Sequence, residues 1–454
     1  MHRHDERCPR DRHRRPGHGP RGAQRSPMES AHMTVRNQLL PLNFAIALSL
    51  GLAGAASAAE PAPLFAAPAA SLARSADADS AFKAAKAERA AVRVDLVRAD
   101  AAQITETQDQ LLLNLAPGVS LKAHKLQAET KPGGVVVWQG MVGDPNAQLK
   151  RINRFTGAEL IDNPEESAIL VRQGGQISGT VRSGGKLYRI DPLKGQGHAI
   201  SLIDESKMPE DHPASYAALP YTPVKLDPRF DEAKAGEKAP TVVRVMVVYT
   251  QAAANAVGNT LTKANLAITE SNQSFANSAV NVRFELAGQY TDSYVSAGFD
   301  TDLSRFAGTT DAYLNSYHTT RNTIKADVNV LIITDPAYCG LGYLNSSATN
   351  AFSVVGASCM TGYYSFAHEI GHNFGAHHDP SNGNNTIYPY GHGYWGPGNA
   401  WRTIMAYNCG SNCPRLNYWS NPNITYNGSP MGTAAKSNNA RVLNERAATV
   451  AGFR

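Results

Sequence analysis

Three histidines and a glutamate are concentrated in one stretch, His368-Glu369-Ile370-Gly371-His372-Asn373-Phe374-Gly375-Ala376-His377-His378-Asp379. His368 and His372 are spaced so that, on a helix, both imidazoles leave one face a turn apart. Glu369 lies between them and can reach a water on a metal without ligating the metal. Gly375 can take a positive φ, letting the backbone leave the helix and bring His378 round as a third nitrogen ligand. Three protein ligands leave a fourth position for water or substrate, which is the requirement of a catalytic zinc; structural zinc sites are closed by four. His377 is out of register with Gly375 and is expected to point away from the metal. His392, in Tyr390-Gly391-His392-Gly393, reads as a loop residue beside a complete ligand set. Asp379 is expected to stabilise the fold, its carboxylate accepting backbone N–H groups from the segment around Met405; direct metal ligation is the alternative.

The elements that must hold this stretch can be read from periodicity. Residues 242–249 (Val-Val-Arg-Val-Met-Val-Val-Tyr) have the β-branched density of a buried strand. Residues 252–278 predict a long helix, 282–286 a second strand, 302–326 a segment containing another helix, and 328–333 a third strand. Residues 351–357 read as an antiparallel edge strand just before the histidine helix, where an extended peptide could dock by main-chain pairing. The order suits a twisted mixed sheet with helices packed on it. From residue 379 onward, Gly, Asn, Pro and Tyr without periodicity suggest a small irregular C-terminal subdomain.

Upstream lie regions of different character. Residues 1–32 carry eight Arg against four acids and five of the fourteen His. They read as a non-native extension ahead of a start at Met28 or Met33. The remainder is close to neutral, so no basic face is left for nucleic acid. Residues 33–58 have one basic residue, an apolar run from Phe44 to Ala56 and an Ala56-Ser57-Ala58 cleavage site: a secretory signal peptide. A membrane anchor is the alternative, but the run is short and broken by Ser49, Gly51 and Gly54. Residues 59–90 are Ala-rich and read as loosely helical or poorly ordered. Residues 91–205 read as β-rich, with turns at Gly174-Gly175 and Gly184-Gly185. Residues 206–240 shift to Pro, Lys, Asp and Glu and read as an exposed linker.

Apart from Cys8, the cysteines (Cys339, Cys359, Cys409, Cys413) all fall in the last third. In an exported chain they suggest two disulfides. Of three pairings, Cys339–Cys359 with Cys409–Cys413 is favoured because it staples the loops before and after the histidine helix. A cysteine-rich metal site competes less well, since the histidines already form a catalytic set.

The run His368-Glu369-x-x-His372-x-x-Gly375-x-x-His378, with Thr403-Ile404-Met405-Ala406-Tyr407 downstream, resembles the metzincin zinc endopeptidases over residues 241–454. Asp379 after the third His resembles the reprolysin branch, whereas Met-x-Tyr is more like the astacin and serralysin branches. The tail from Tyr418-Trp419-Ser420-Asn421-Pro422 to Phe453-Arg454 is similar to the bacterial peptidyl-Asp metalloendopeptidases. The resemblance implies an α/β metzincin-type fold preceded by a β-rich propeptide (59–205), one catalytic Zn2+ and a secreted peptidase acting on peptide bonds. It makes Met405 an apolar floor beneath the histidines and Glu369 the general base. It makes Tyr407 either an oxyanion donor or a packing residue. It also makes Arg402 and Arg415 candidates for an S1′ pocket that takes Asp, the alternative being two solvated arginines. Leu226–Asp227 and Phe230–Asp231 would then be self-cleavable junctions. Residues 59–240 hold no cysteine, so a propeptide thiolate cannot cap the metal; a carboxylate, a histidine or steric filling must do so. A peptidase of different preference, or an inactive zinc-containing binding protein, are the rival readings.

Overall fold

A computed structural model describes residues 60–144, 150–152, 159–161, 163–220, 239–383, 387–410 and 412–454. The expected extension (1–32), signal peptide (33–58) and junctions at 226–227 and 230–231 lie outside the described residues. No helix among the described residues is long and apolar enough to cross a membrane.

The Ala-rich stretch forms two short helices, α1 (Ala70–Ala76) and α2 (Ser80–Ala87). Around them lies an antiparallel nine-stranded sheet. Its strands are β1 (Phe65–Ala66), β2 (Ala91–Ala99), β3 (Gln110–Ala116), β4 (Val119–Lys131), β5 (Val135–Val142), β8 (Ser167–Gln173), β9 (Gln176–Ser183), β10 (Lys186–Pro192) and β11 (Gly197–Ile203), in the order β1-β2-β11-β10-β9-β8-β5-β4-β3. A small ribbon of β6 (Lys150–Ile152) and β7 (Glu159–Ile161) stands apart from that sheet. The two Gly-Gly pairs turn the hairpins β8–β9 and β9–β10, as their sequence suggests.

The second sheet contains β12 (Thr241–Thr250), β13 (Val282–Asp292), β14 (Val328–Ile333), β15 (Gly340–Gly342) and β16 (Phe352–Gly356), in the order β13-β12-β14-β16-β15. The first four positions pair in parallel, and β15 runs antiparallel along β16. The strand expected at the edge, residues 351–357, is therefore interior and parallel, and the three-residue β15 is the edge. Too short and glycine-rich to announce itself as a strand, β15 is identified only by its pairing. Helices cover both faces: α3 (Gln251–Val257), α4 (Thr260–Asn277), α5 (Phe299–Ala307), α6 (Ser316–Thr323), α7 (Ser365–Phe374) and α8 (Asn439–Val450). The expected 252–278 helix is split at Gly258, and two helices occupy 302–326. The C-terminal region is less irregular than its composition suggests: α8 buries Ala440, Leu443, Ala447 and Val450 in the main core, and β17 (Asn421–Tyr426) pairs with β18 (Ser429–Met431).

That core joins Val243, Val245 and Val247 of β12 to Ala267, Ile268 and Phe275 of α4, Ile370 and Phe374 of α7, and Trp419. The described residues from 60 onward form one compact unit, with α4 lying between the two sheets. The expected exposed linker is corrected in its first half. Asp211, His212 and Tyr216 are buried, and backbone bonds from Cys339 and Gly340 tie Glu210 and Asp211 to the β15 edge.

Candidate metal centre and cleft

α7 carries His368, Glu369 and His372 and is buried over its whole length. Gly375, at φ 105°, caps it and returns its N–H to Gly371 and His372 carbonyls, and the reversal delivers His378 to the same point. Nε2 of His368 lies 3.3 Å from Nε2 of His378, which lies 3.1 Å from Nε2 of His372. Ahead of the second sheet, His212 enters the same cluster, its Nε2 2.9 Å from that of His368 and 3.1 Å from that of His372. One ligand atom from each of the four residues lies within 4.8 Å of the others.

Three Nδ1 atoms face backbone carbonyls: His368 toward Ile404 (2.8 Å), His372 toward Ala376 (2.9 Å) and His212 toward Gly340 (2.9 Å). Carbonyls only accept, so those nitrogens carry the ring protons and the Nε2 atoms present bare lone pairs. Burial, then the neighbouring imidazoles, push the His368, His372 and His378 pKa values well below the usual histidine range. His212 falls to about 4, first through burial. Converging neutral lone pairs repel unless a cation lies among them. A tetrahedral zinc at about 2.0–2.1 Å requires nitrogens roughly 3.3 Å apart, so donor type, protonation and spacing fit that ion. Carbonyl acceptors on the opposite ring atoms are the usual orienting partners of metal-bound histidine.

The Glu369 carboxylate is buried, and neither oxygen has a hydrogen-bond partner among the described residues. Burial first, then the Asp211 charge, push its pKa well up. β15 lies so close that a Cβ on Gly340 would collide with this carboxylate, which is why the edge strand needs glycine there.

The segment 403–407 passes beneath. Met405 is fully buried, and its sulfur packs against α7 at Gly371. The Tyr407 ring stands 4.1 Å from the His378 ring, centroid to centroid. Asp379 accepts the Tyr407 N–H at 3.1 Å, the bond expected of it. His377 and His392 lie outside the cluster; His392 Nδ1 is bonded to the His378 carbonyl instead. Both favoured disulfides, Cys339–Cys359 and Cys409–Cys413, are present.

Arg402 and Arg415, weighed as possible solvated residues, are both buried. Arg415 Nη2 donates to both oxygens of Asp211, at 2.6 and 2.7 Å, and Arg402 Nη1 lies 3.7 Å from that carboxylate. Burial alone would raise the Asp211 pKa, but Arg415 and then Arg402 bring it below the ordinary value. Tyr363 braces both cations: its ring lies under Arg415, its carbonyl accepts from Arg415 Nη1 and its hydroxyl from Arg402 Nη2. Tyr216 completes the lining, stacked on His212 at 4.6 Å with its hydroxyl 3.0 Å from His372 Nδ1. Sequence reading missed Asp211, His212 and Tyr216 because they lie in a stretch with linker composition. The one available signal was the missing cysteine, which left a histidine among the possible capping groups without saying which.

Residues 239–420 match the model for the reprolysin-type metallo-peptidase family M12. A peptidyl-Asp metalloendopeptidase of Stenotrophomonas maltophilia (strain K279a) is 47% identical over 417 residues, covering 90% of this chain and 97% of the relative. A peptidyl-Asp metalloendopeptidase of Xanthomonas campestris pv. campestris is 43% identical over 388 residues, covering 85% and 91% respectively. Both alignments are longer than the region from residue 239 onward, so the similarity includes part of the N-terminal sheet.

Proposed function

The chain belongs to metallopeptidase family M12 and is a zinc metalloendopeptidase, and from that premise we propose a secreted enzyme that cuts peptide bonds on the N-terminal side of Asp. His368, His372 and His378 hold the ion in the working enzyme. Bound there, zinc supplies Lewis acidity and lowers the pKa of water toward about 7. Glu369 takes the proton of the attacking water and passes it to the leaving amine. Among the described residues neither carboxylate oxygen is hydrogen-bonded, which supports that role. The Tyr407 phenol donates to the oxyanion of the tetrahedral intermediate, a role its ring's position beside His378 supports. Extended substrate lies along the β15 edge, whose Cys339 and Gly340 N–H groups already bind backbone carbonyls in this structure.

The preference for Asp rests on one observation: two buried guanidiniums beside the histidines are matched by a single aspartate side chain. A buried cation left unpaired costs about 3–5 kcal/mol, so the pocket selects a carboxylate of that length. Export is supported by the residue 33–58 pattern and by two disulfides of the kind oxidising compartments maintain. Residues 59–205 act as a propeptide that is removed together with the segment that follows it, and residues 241–454 as the catalytic part.

The test is digestion of a proteome-derived peptide library, reading both new termini. Asp should be enriched immediately after the cut. Arg415→Gln should remove that enrichment and lower kcat/KM on Asp peptides by roughly 10²- to 10³-fold, the equivalent of losing a buried charge pair. An unchanged Asp preference in the variant would overturn the assignment of Arg415.

A further inference from the structure

We propose that the full chain holds its metal with four histidines, His212 supplying the bond that water occupies in the working enzyme while Asp211 fills the pocket of Arg415. This inference rests on the metallopeptidase reading and names how that same site is kept shut. Two adjacent residues thus fill two functions of the cleft at once, metal coordination and side-chain recognition.

The geometry points to ligation rather than mere proximity. His212 Nε2 sits 2.9 and 3.1 Å from its neighbours, close to the 3.3 and 3.1 Å that the other three histidines keep among themselves. Its Nδ1 is oriented by the Gly340 carbonyl, as the His368 ring is by Ile404 and the His372 ring by Ala376. The ring is fully buried and stacked on Tyr216, so no solvent path competes for it. A set of four protein ligands makes the centre a closed one of structural type, with no corner left for water.

The same contacts explain why the segment is not cut where it lies. With Asp211 in the pocket, the bond at risk joins Glu210 to Asp211. The Glu210 carbonyl accepts from Cys339 N at 2.9 Å and the Asp211 carbonyl from Gly340 N at 3.0 Å. The segment thus holds the N–H groups that an extended substrate would use, and it escapes cutting because the imidazole of His212 occupies the place of the nucleophile. Substrate must displace both groups together, because they are neighbours in one chain. Tethering keeps the plug at high effective concentration until the chain is cut beyond it.

The experiment uses the full chain as the Glu369→Gln variant, which keeps it uncut, with cobalt(II) in place of zinc. X-ray absorption should report four imidazoles from the scattering of their outer ring atoms, and the visible spectrum should not respond to acetohydroxamate. In a further His212→Ala variant the imidazole count should fall from four to three, and acetohydroxamate should now shift the spectrum. If that variant fails to fold, His212→Gln and the parent spectrum decide between them. A count of three imidazoles or a hydroxamate response in the full chain with His212 intact overturns the plug outright, as does a spectrum that His212 substitution leaves unchanged. A chain that takes up cobalt, with a spectrum altered by His368→Ala but not by His212→Ala, rejects the plug alone. A chain that takes up no metal rejects the metallopeptidase site itself.

Discussion

The two faces of α4 are buried by different means. Toward the second sheet, Ala264, Ala267, Ile268 and Phe275 enter an apolar core, with Phe275 stacked on Trp419. Toward the N-terminal sheet the contacts are largely polar and matched. Thr262 meets Ser178 at 2.7 Å, Lys263 meets Asp191 at 2.8 Å, and Glu270 accepts from Thr180 at 2.7 Å. Leu266, with the partly buried Leu261 beside it, supplies the apolar part, packed with Val135, Val137, Ile169 and Val171. Arg182 and Arg189 of the N-terminal sheet extend the pattern to the backbone carbonyls of Gly362 and Ser358. Apolar burial is non-directional, and reversing it exposes surface that water disfavours. A seam of paired polar groups can be re-solvated on both sides when it opens. The first face belongs to the core of the second sheet, and the second has the polar character that the proposed removal of a propeptide would need.

The sharpest break in this comparison lies at the cleft, where Glu369 is buried like the seam residues but without their partners. Glu369→Gln should lower turnover by about 10²- to 10⁴-fold, the range for loss of a general base. Metal content and thermal midpoint should hold, because a neutral amide suits the buried site at least as well as a carboxylate. Undiminished turnover with metal bound would reject Glu369 as the base.

Next in size is the apolar face. Trp419→Ala removes a fully buried ring and its hydrogen bond to Ser274. It should lower the unfolding free energy by about 3–5 kcal/mol, read from denaturant titration. A loss no larger than that of an ordinary surface substitution would mean this core is not what holds the second sheet together.

The smallest effect concerns the seam and depends on pH. Burial, opposed by bonds from Thr180 and the Gly362 N–H and by the charges of Lys263 and Arg182, raises the Glu270 pKa from 4.5 to about 7. The folded chain therefore keeps a proton that the unfolded chain releases sooner. The associated stability is complete below about pH 4.5, on the unfolded side, and is lost as pH rises through about 7, by an amount on the order of 3 kcal/mol. Thermal midpoints of the full chain should fall over that window, and Glu270→Gln should flatten the slope. Equal slopes in parent and variant would remove Glu270 from the account.

Much of the site was legible before any coordinates. His368, Glu369, His372, Gly375 and His378 lie within one helix and its reversal, and a helix repeats its geometry every turn. The Asp379 bond to Tyr407 and both disulfide pairings also match the expectation. The parallel strands 242–249 and 328–333 were visible as β-branched runs, because strands buried on both faces must be apolar throughout.

The chain itself determined its metal chemistry, because ligand type and helical spacing are local properties. Only the tertiary structure decided which side chain completes the centre and what fills the pocket. His212 meets a histidine 156 residues away, and Asp211 meets an arginine 204 residues away. Pairings at such distances leave no periodicity in the sequence. They arise when two sheets close on α4 and draw a segment of linker composition into the cleft between buried cations and bare imidazole nitrogens.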